Sequence, residues 1–243
     1  MNMTIIERPV LFNGEMVKAI LEDRKTMTRR VMKRSMPGDI SECRLTKDNI
    51  LYMEHLGGYT TFRPRACPYG TPGDRLWVKE TWKIASFMEG DPIEFQYKAD
   101  GAIAEENISS DCLNYEDWYE RVCIQSTDYL IKIGWKYKDG EGCFRWENGK
   151  SPLPWKPSMF MPHWASRIML EITNVRLGQV QEISEDDATK EGCVPYVDPF
   201  ENTKITNARQ GFVQLWNFIN EKRGFGWEAN PWVWVIEFKR VIP

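Results

Sequence analysis

The sequence predicts an α+β fold, a small, partly closed β-barrel with two or three helices packed at its ends. Three observations lead there. Strand-like alternation dominates the readable segments, above all around 168–173 and in the terminal PWVWVIEFKRV. Helical periodicity is confined to a few short stretches. No βαβ rhythm and no Gly-rich phosphate loop appears, which argues against a doubly wound sheet.

The elements follow in chain order. In FNGEMVKAILEDR, Asn13 is a candidate N-cap and Met16, Val17, Ile20 and Leu21 share one helical stripe, so a helix is expected to end near Asp23 to Lys25. TMTRR then reads as a helix-to-strand loop whose hydroxyls and basic groups are free to point at a ligand. TPGDRLWVKETW has a turn at Pro72 to Asp74 and a β-favouring run through Leu76, Trp77 and Val78. Between Ala85 and Lys150 the pattern is irregular and acidic, with IEFQYKA and YLIKIGW as short strand candidates.

SRIMLEITNV alternates Ile168, Leu170 and Ile172 inward with Met169, Glu171 and Thr173 outward. ISEDDATKEG reads as a short helix capped by Ser184, with Asp187 three residues on and Gly192 as the stop. Glu191 falls in its last turn, where the helix dipole opposes a carboxylate, so a cation or a functional demand is expected to hold it. NARQGFVQLWNFINEKRG places Phe212, Leu215, Trp216 and Ile219 on one face, with Gly224 ending it. The terminal strand, with Trp232, Trp234, Ile236 and Phe238 on one side, reads as central or near-central.

Composition narrows the function. The 32 Lys and Arg against 35 Asp and Glu leave a net charge of −3, which argues against a general nucleic-acid coat protein, so any anion site must be local. RKTMTRRVMKR, from Arg24 to Arg34, holds six basic residues in eleven and no acid, whereas Glu89 to Glu120 holds ten acids and one lysine. The basic run is either a solvated surface or the seat of an anion. The six cysteines form no CxxC pair, and neither His55 nor His163 stands near a cysteine at ligand spacing, so free thiols in the cytosol are expected and no structural zinc. The N-terminus shows no secretory leader and no apolar run approaches membrane-span length, so no membrane is expected as a partner.

Four segments in order, ILEDRKTMTRR, PGDRLWV, ISEDDATKEG and WVIEFKRV, resemble the landmarks of the ASCH domain, a PUA-like β-barrel. The resemblance that they mark extends over about half of the chain. The remainder is similar to the larger ASCH-like proteins of phages and prophages, which implies a single domain, 1–243, with insertions at about 43–66 and 85–166. The general pattern is G-x-K-x-x-E-x-R. Here Asp23 takes the glycine place, Lys25 and Arg30 match, and Thr28 replaces the glutamate.

That replacement also marks the bacterial N4-acetylcytidine amidohydrolases, small ASCH proteins with a Lys-x-x-Thr loop and a glutamate at the end of a downstream helix. The resemblance carries their catalytic lysine to Lys25, their threonine to Thr28 and their glutamate to Glu191. It implies a metal-independent hydrolase with no cofactor, acting in the cytoplasm, or in the host cytoplasm if phage-encoded, on an acylated pyrimidine nucleoside. The chemistry is coherent on its own terms. A threonine hydroxyl is a poor nucleophile until a neighbouring base takes its proton, and a lysine serves once burial or cations such as Arg24, Arg29 and Arg30 depress its pKa.

Further candidate ligand contacts are Glu80, at the end of a strand, and Trp155, Lys156, His163 and Trp164 in PWKPSMFMPHWASR. That segment interleaves aromatic and basic residues as surfaces that stack bases do. The alternative for the same segment is a proline-stiffened lid. Two other functions stay open: a non-catalytic module that binds RNA or a modified base through the same cleft, and a phage accessory protein that engages a host protein through its acidic insertion.

Overall fold

The computed structural model describes residues 5–32, 40–45, 51–55, 58–62, 67–87, 93–105, 115–136, 138, 144–197 and 204–241. Its elements are β1 (Glu7–Leu11), α1 (Gly14–Leu21), β2 (Met27–Val31), β3 (Ile40–Leu45), β4 (Leu51–His55), β5 (Gly58–Phe62), β6 (Arg75–Lys79), β7 (Trp82–Ser86), β8 (Glu94–Tyr97), β9 (Ile103–Glu105), α2 (Tyr115–Lys132), β10 (Met169–Gln179), α3 (Glu185–Lys190), β11 (Tyr196–Val197), β12 (Lys204–Ile205), α4 (Ala208–Asn220) and β13 (Trp232–Val241). The class is mixed α+β. Among the described residues no strand pairing closes a barrel; the principal sheet runs in the open order β1-β6-β10-β13-β2. No helix among them is long and apolar enough to cross a membrane. The chain forms two compact units, one of Met1–Arg8, Ala19–Leu76 and Leu170–Ile242, the other chiefly of Pro9–Lys18 and Trp77–Met169.

In the first unit, β13 pairs with β2 in antiparallel register, Thr28 opposite Ile236, Arg29 opposite Val235 and Met27 opposite Glu237. Directly opposed residues share a face. Met27 and Arg29 therefore project with Val233 and Val235 toward α3 and α4, while Thr28 and Arg30 project with Trp234 and Ile236 to the other side. The first face carries a core of Met27, Val180, Ala188, Phe212, Trp216 and Val235. Each large side chain buried there stabilises the unit by about 1.5–3 kcal/mol. Val233 to Ile236 are buried on both sides, as the central reading of the terminal strand expects. Asn207 caps α4 by accepting from the Gln210 N–H at 2.9 Å, and Phe212 and Trp216 face inward, whereas Ile219 is 37% exposed.

The expected loop at TMTRR is instead strand from Met27 onward, and Thr28 is buried. Its charges concealed the alternation of Met27, Arg29 and Val31, because Arg29 is buried by neutralisation rather than by apolarity. Met169, expected to face outward, is also buried.

The second unit holds the antiparallel sheet β7-β8-β9 and the helix α2 around a core that includes Trp82, Phe95, Tyr97, Leu130 and Met161. IEFQYKA contains β8 as expected. YLIKIGW is not a strand but the end and exit of the eighteen-residue α2. The stripe of α2 runs through Trp118, Val122, Ser126 and Leu130, and the buried serine at its centre breaks the apolar period that would have announced a helix. Much of the acidic stretch, at 88–92 and 106–114, lies outside the described residues.

Candidate functional site

The first unit brings Lys25 and Glu191 together although 166 positions separate them. Helix α1 ends at Leu21, and the turn that follows folds back so that the Arg24 and Lys25 N–H groups both donate to Ala19 O. Asp23 adopts a left-handed φ of 55° in that turn, a conformation that favours glycine and that Asp tolerates better than most residues. On the other side, Ser184 caps α3 by accepting from the Asp187 N–H at 3.0 Å, and Gly192 ends it with φ 87°. The two turns are stitched by a backbone bridge between Lys25 and Glu191 and by Thr26 N–H donating to Lys190 O at 2.8 Å.

Within this stitch the Lys25 ammonium donates to Glu191 Oε2 at 2.7 Å, to Glu191 O at 2.8 Å and to Met27 O at 2.8 Å. A lysine has three N–H donors, and here each has an acceptor. The side chains are 0% and 4% exposed, so this is a buried ion pair. Burial pushes the Lys25 pKa down most strongly, Glu191 opposes that, and the charge of Arg30 pushes it down again. The cation expected to hold Glu191 against the dipole of its helix is thus Lys25.

Arg29 reinforces the acid from the core face. Its guanidinium reaches Glu191 Oε1 at 3.4 Å, pairs with Asp187 and lies over the Phe212 ring at 5.8 Å. Asp187 also accepts from Arg176 at 2.6 Å. Burial raises the Asp187 pKa, but the two guanidinium partners outweigh it and hold the carboxyl below its ordinary range. Sequence reasoning read Asp187 only as a capping residue and did not single out Arg176. The signal available was the three-residue spacing from Ser184, which serves a cap and an ion pair alike.

Thr28 is 2% exposed and sits one position from Arg29 on the opposite face of β2, the face it shares with Arg30. Among the described residues no hydrogen bond joins its hydroxyl to Lys25 or Glu191. Arg24 points away, pairing with Glu22 and donating to Gly192 O at 3.2 Å, so it does not contribute to lowering the Lys25 pKa.

The remaining candidates belong to the second unit. Glu80 is buried and accepts bidentately from Arg167 at 2.9 and 3.0 Å, and Arg167 also pairs with Asp100 and lies 4.1 Å from the Tyr97 ring centre. Burial lifts the Glu80 pKa, and Arg167 opposes this. Glu80 is therefore engaged in a structural clamp, with Asp100 as the member sequence reasoning missed. Trp164 is half-buried and packs against Tyr115 and Trp118 at the margin of the unit's core. His163 meets Trp77 edge-on at 5.1 Å, Lys156 lies over Trp82 at 5.1 Å, and Trp155 is exposed above Lys83.

Gly192 makes the stitch sensitive to a single methyl group. A Cβ there would lie 2.9 Å from Ala19 Cβ and 3.2 Å from Lys25 Cβ, at a φ that L side chains avoid. Gly192→Ala should destabilise the protein by about 1–3 kcal/mol, read as a lowered urea midpoint with an unchanged slope.

No family model, curated protein or solved structure matches this chain.

Proposed function

We propose that the chain is a metal-independent amidohydrolase that removes the acyl group from an acylated pyrimidine nucleoside such as N4-acetylcytidine, in a cytoplasm, and that it is a single PUA-like, partly closed barrel of the ASCH type with large insertions. The observation that carries the reading is the buried pair of Lys25 and Glu191 at 2.7 Å, with Lys25 in the turn three residues ahead of Thr28, which lies on β2. A lysine whose pKa is pushed down by burial is a lysine able to act as a base near neutral pH.

On this reading Lys25, as the free amine, takes the proton of the Thr28 hydroxyl while its oxygen attacks the acyl carbon. The Arg30 guanidinium, on the Thr28 face, stabilises the resulting oxyanion. The C–N bond then breaks, and the Lys25 ammonium returns its proton to the departing exocyclic amine. Lys25 next takes a proton from water, whose oxygen attacks the acyl-threonine carbonyl; the ester C–O bond breaks as the Lys25 ammonium returns that proton to the Thr28 oxygen, and the acid leaves, giving its own proton to solvent as it becomes the carboxylate. Glu191 holds the lysine in place through all of these steps. The Lys25 amine must let go of one of its three acceptors to reach Thr28, so the resting arrangement is one proton and one hydrogen bond away from reaction.

The test is incubation with N4-acetylcytidine, following cytidine and acetate together. Equal release of both is expected, and kcat/KM should climb with pH along a limb set by Lys25, at an apparent pKa below the roughly 10.4 of a free lysine. If the nucleoside is bound but never cleaved, the satisfied donors of Lys25 mark a binding cleft instead.

A further inference from the structure

We propose that the segment 154–163 of the second unit is a docking ridge for single-stranded nucleic acid, with Trp155 and Phe160 as base-stacking platforms and Lys79 and Lys156 as phosphate contacts. The inference stands independently of the amidohydrolase reading, because it uses none of the groups around Lys25.

The first observation is a contrast between anchoring and exposure. The backbone of this segment is firmly fixed. Lys156 exchanges two backbone hydrogen bonds with Trp82, at 2.7 and 3.3 Å, and Met161 and Ala165 are buried in the unit's core. Tyr97 Oη donates to Ala165 O at 2.8 Å, and Pro157 and Pro162 restrict the chain further, with φ of −58° and −75°. Yet the same segment turns Phe160 66%, Met159 61% and Trp155 39% out to solvent. Single exposed apolar residues are ordinary, but three within six positions on a fixed backbone are a local concentration of exposed apolar side chains, the kind of feature that binding surfaces carry.

The second observation is the charge set among them. Lys79 lies 5.2 Å from the Trp77 ring centre and donates to Met159 O at 2.5 Å. Lys83 lies 4.8 Å from the ring of Trp155 and donates to Ser151 O, and Lys156 lies 5.1 Å from Trp82. Among the described residues none of these three ammonium groups has a carboxylate partner, in a chain whose acids outnumber its bases. Lys83 is itself buried and serves to hold the Trp155 ring in place. Lys79 and Lys156 are only half-buried and keep N–H donors to spare. Flat rings alternating with ammonium groups that face no carboxylate match a strand of bases and phosphates. An acidic peptide would use the charges and leave the rings without a partner, and a duplex hides its base faces.

The experiment is fluorescence anisotropy with labelled short oligothymidylate and oligouridylate, on the full chain, over a salt series. Saturable binding is expected at low salt. Trp155→Ala and Phe160→Ala should each weaken it roughly 5- to 100-fold. Lys79→Ala/Lys156→Ala should reduce the slope of log affinity against log salt by about 1.4, near 0.7 per lost phosphate contact. The ring substitutions alter exposed side chains, and an unchanged thermal transition certifies that the fold survives. The proposal is overturned if neither oligonucleotide binds at low salt, if the ring variants bind as wild type does, or if polyglutamate competes as well as the oligonucleotide.

Discussion

Lys25→Met should cost the protein about 3–5 kcal/mol, because it leaves the Glu191 carboxylate buried without its ammonium partner. Lys25→Met/Glu191→Leu should recover most of that loss, since apolar residues of similar volume remove both desolvated charges at once. Arg29 is the group that decides how complete the recovery is, because it keeps Asp187 but loses its second acceptor. Urea denaturation of the three proteins gives the answer. Equal stability of wild type and Lys25→Met would mean that water reaches the pair and that it is not buried as described. The same pair has a pH signature. The folded pKa of Lys25 lies below its unfolded value, so the native state sheds this proton first. Between those two pKa values the unfolded chain binds more protons, and stability rises with pH there. The double variant should lack that rise.

Thr28→Val should lower the rate of acyl release roughly a thousandfold or more while changing stability by less than about 1 kcal/mol. Valine keeps the branched shape and removes only the hydroxyl. Since no hydrogen bond to that hydroxyl is found among the described residues, its loss orphans no partner. Thr28→Ser restores the nucleophile without the methyl group and should retain a measurable part of the rate. If Thr28→Val turns over like wild type, Thr28 does not attack, and water activated by Lys25 would be the nucleophile.

Elements whose side chains follow one period were legible from the sequence. The terminal strand, the capped helix at 185–190 and the helix at 208–220 all lie near their expected positions, because apolar spacing and capping chemistry agree there. Helix α2 was missed because Ser126 occupies its buried stripe, and β2 was read as a loop because its buried face is charged. The same charge explains what was visible of the site. A run of cations beside two threonines announces that something unusual happens at 24–34, but not which cation is buried. That depends on which acid arrives from α3, and partners 158 to 166 positions away leave no local trace. Asp187 is therefore legible only as a cap, and Asp100, whose Arg167 partner lies 67 positions away, is not legible at all.

The most direct test is turnover of N4-acetylcytidine by Lys25→Met/Glu191→Leu, the variant expected to be folded and to lack both the base and its anchor. Cytidine release at a hundredth of the wild-type rate or less, on the order of what general-base catalysis contributes, is the predicted result. Release at the wild-type rate by a stably folded double variant would contradict the account, and the pair would then be a fastening of the fold with no part in chemistry.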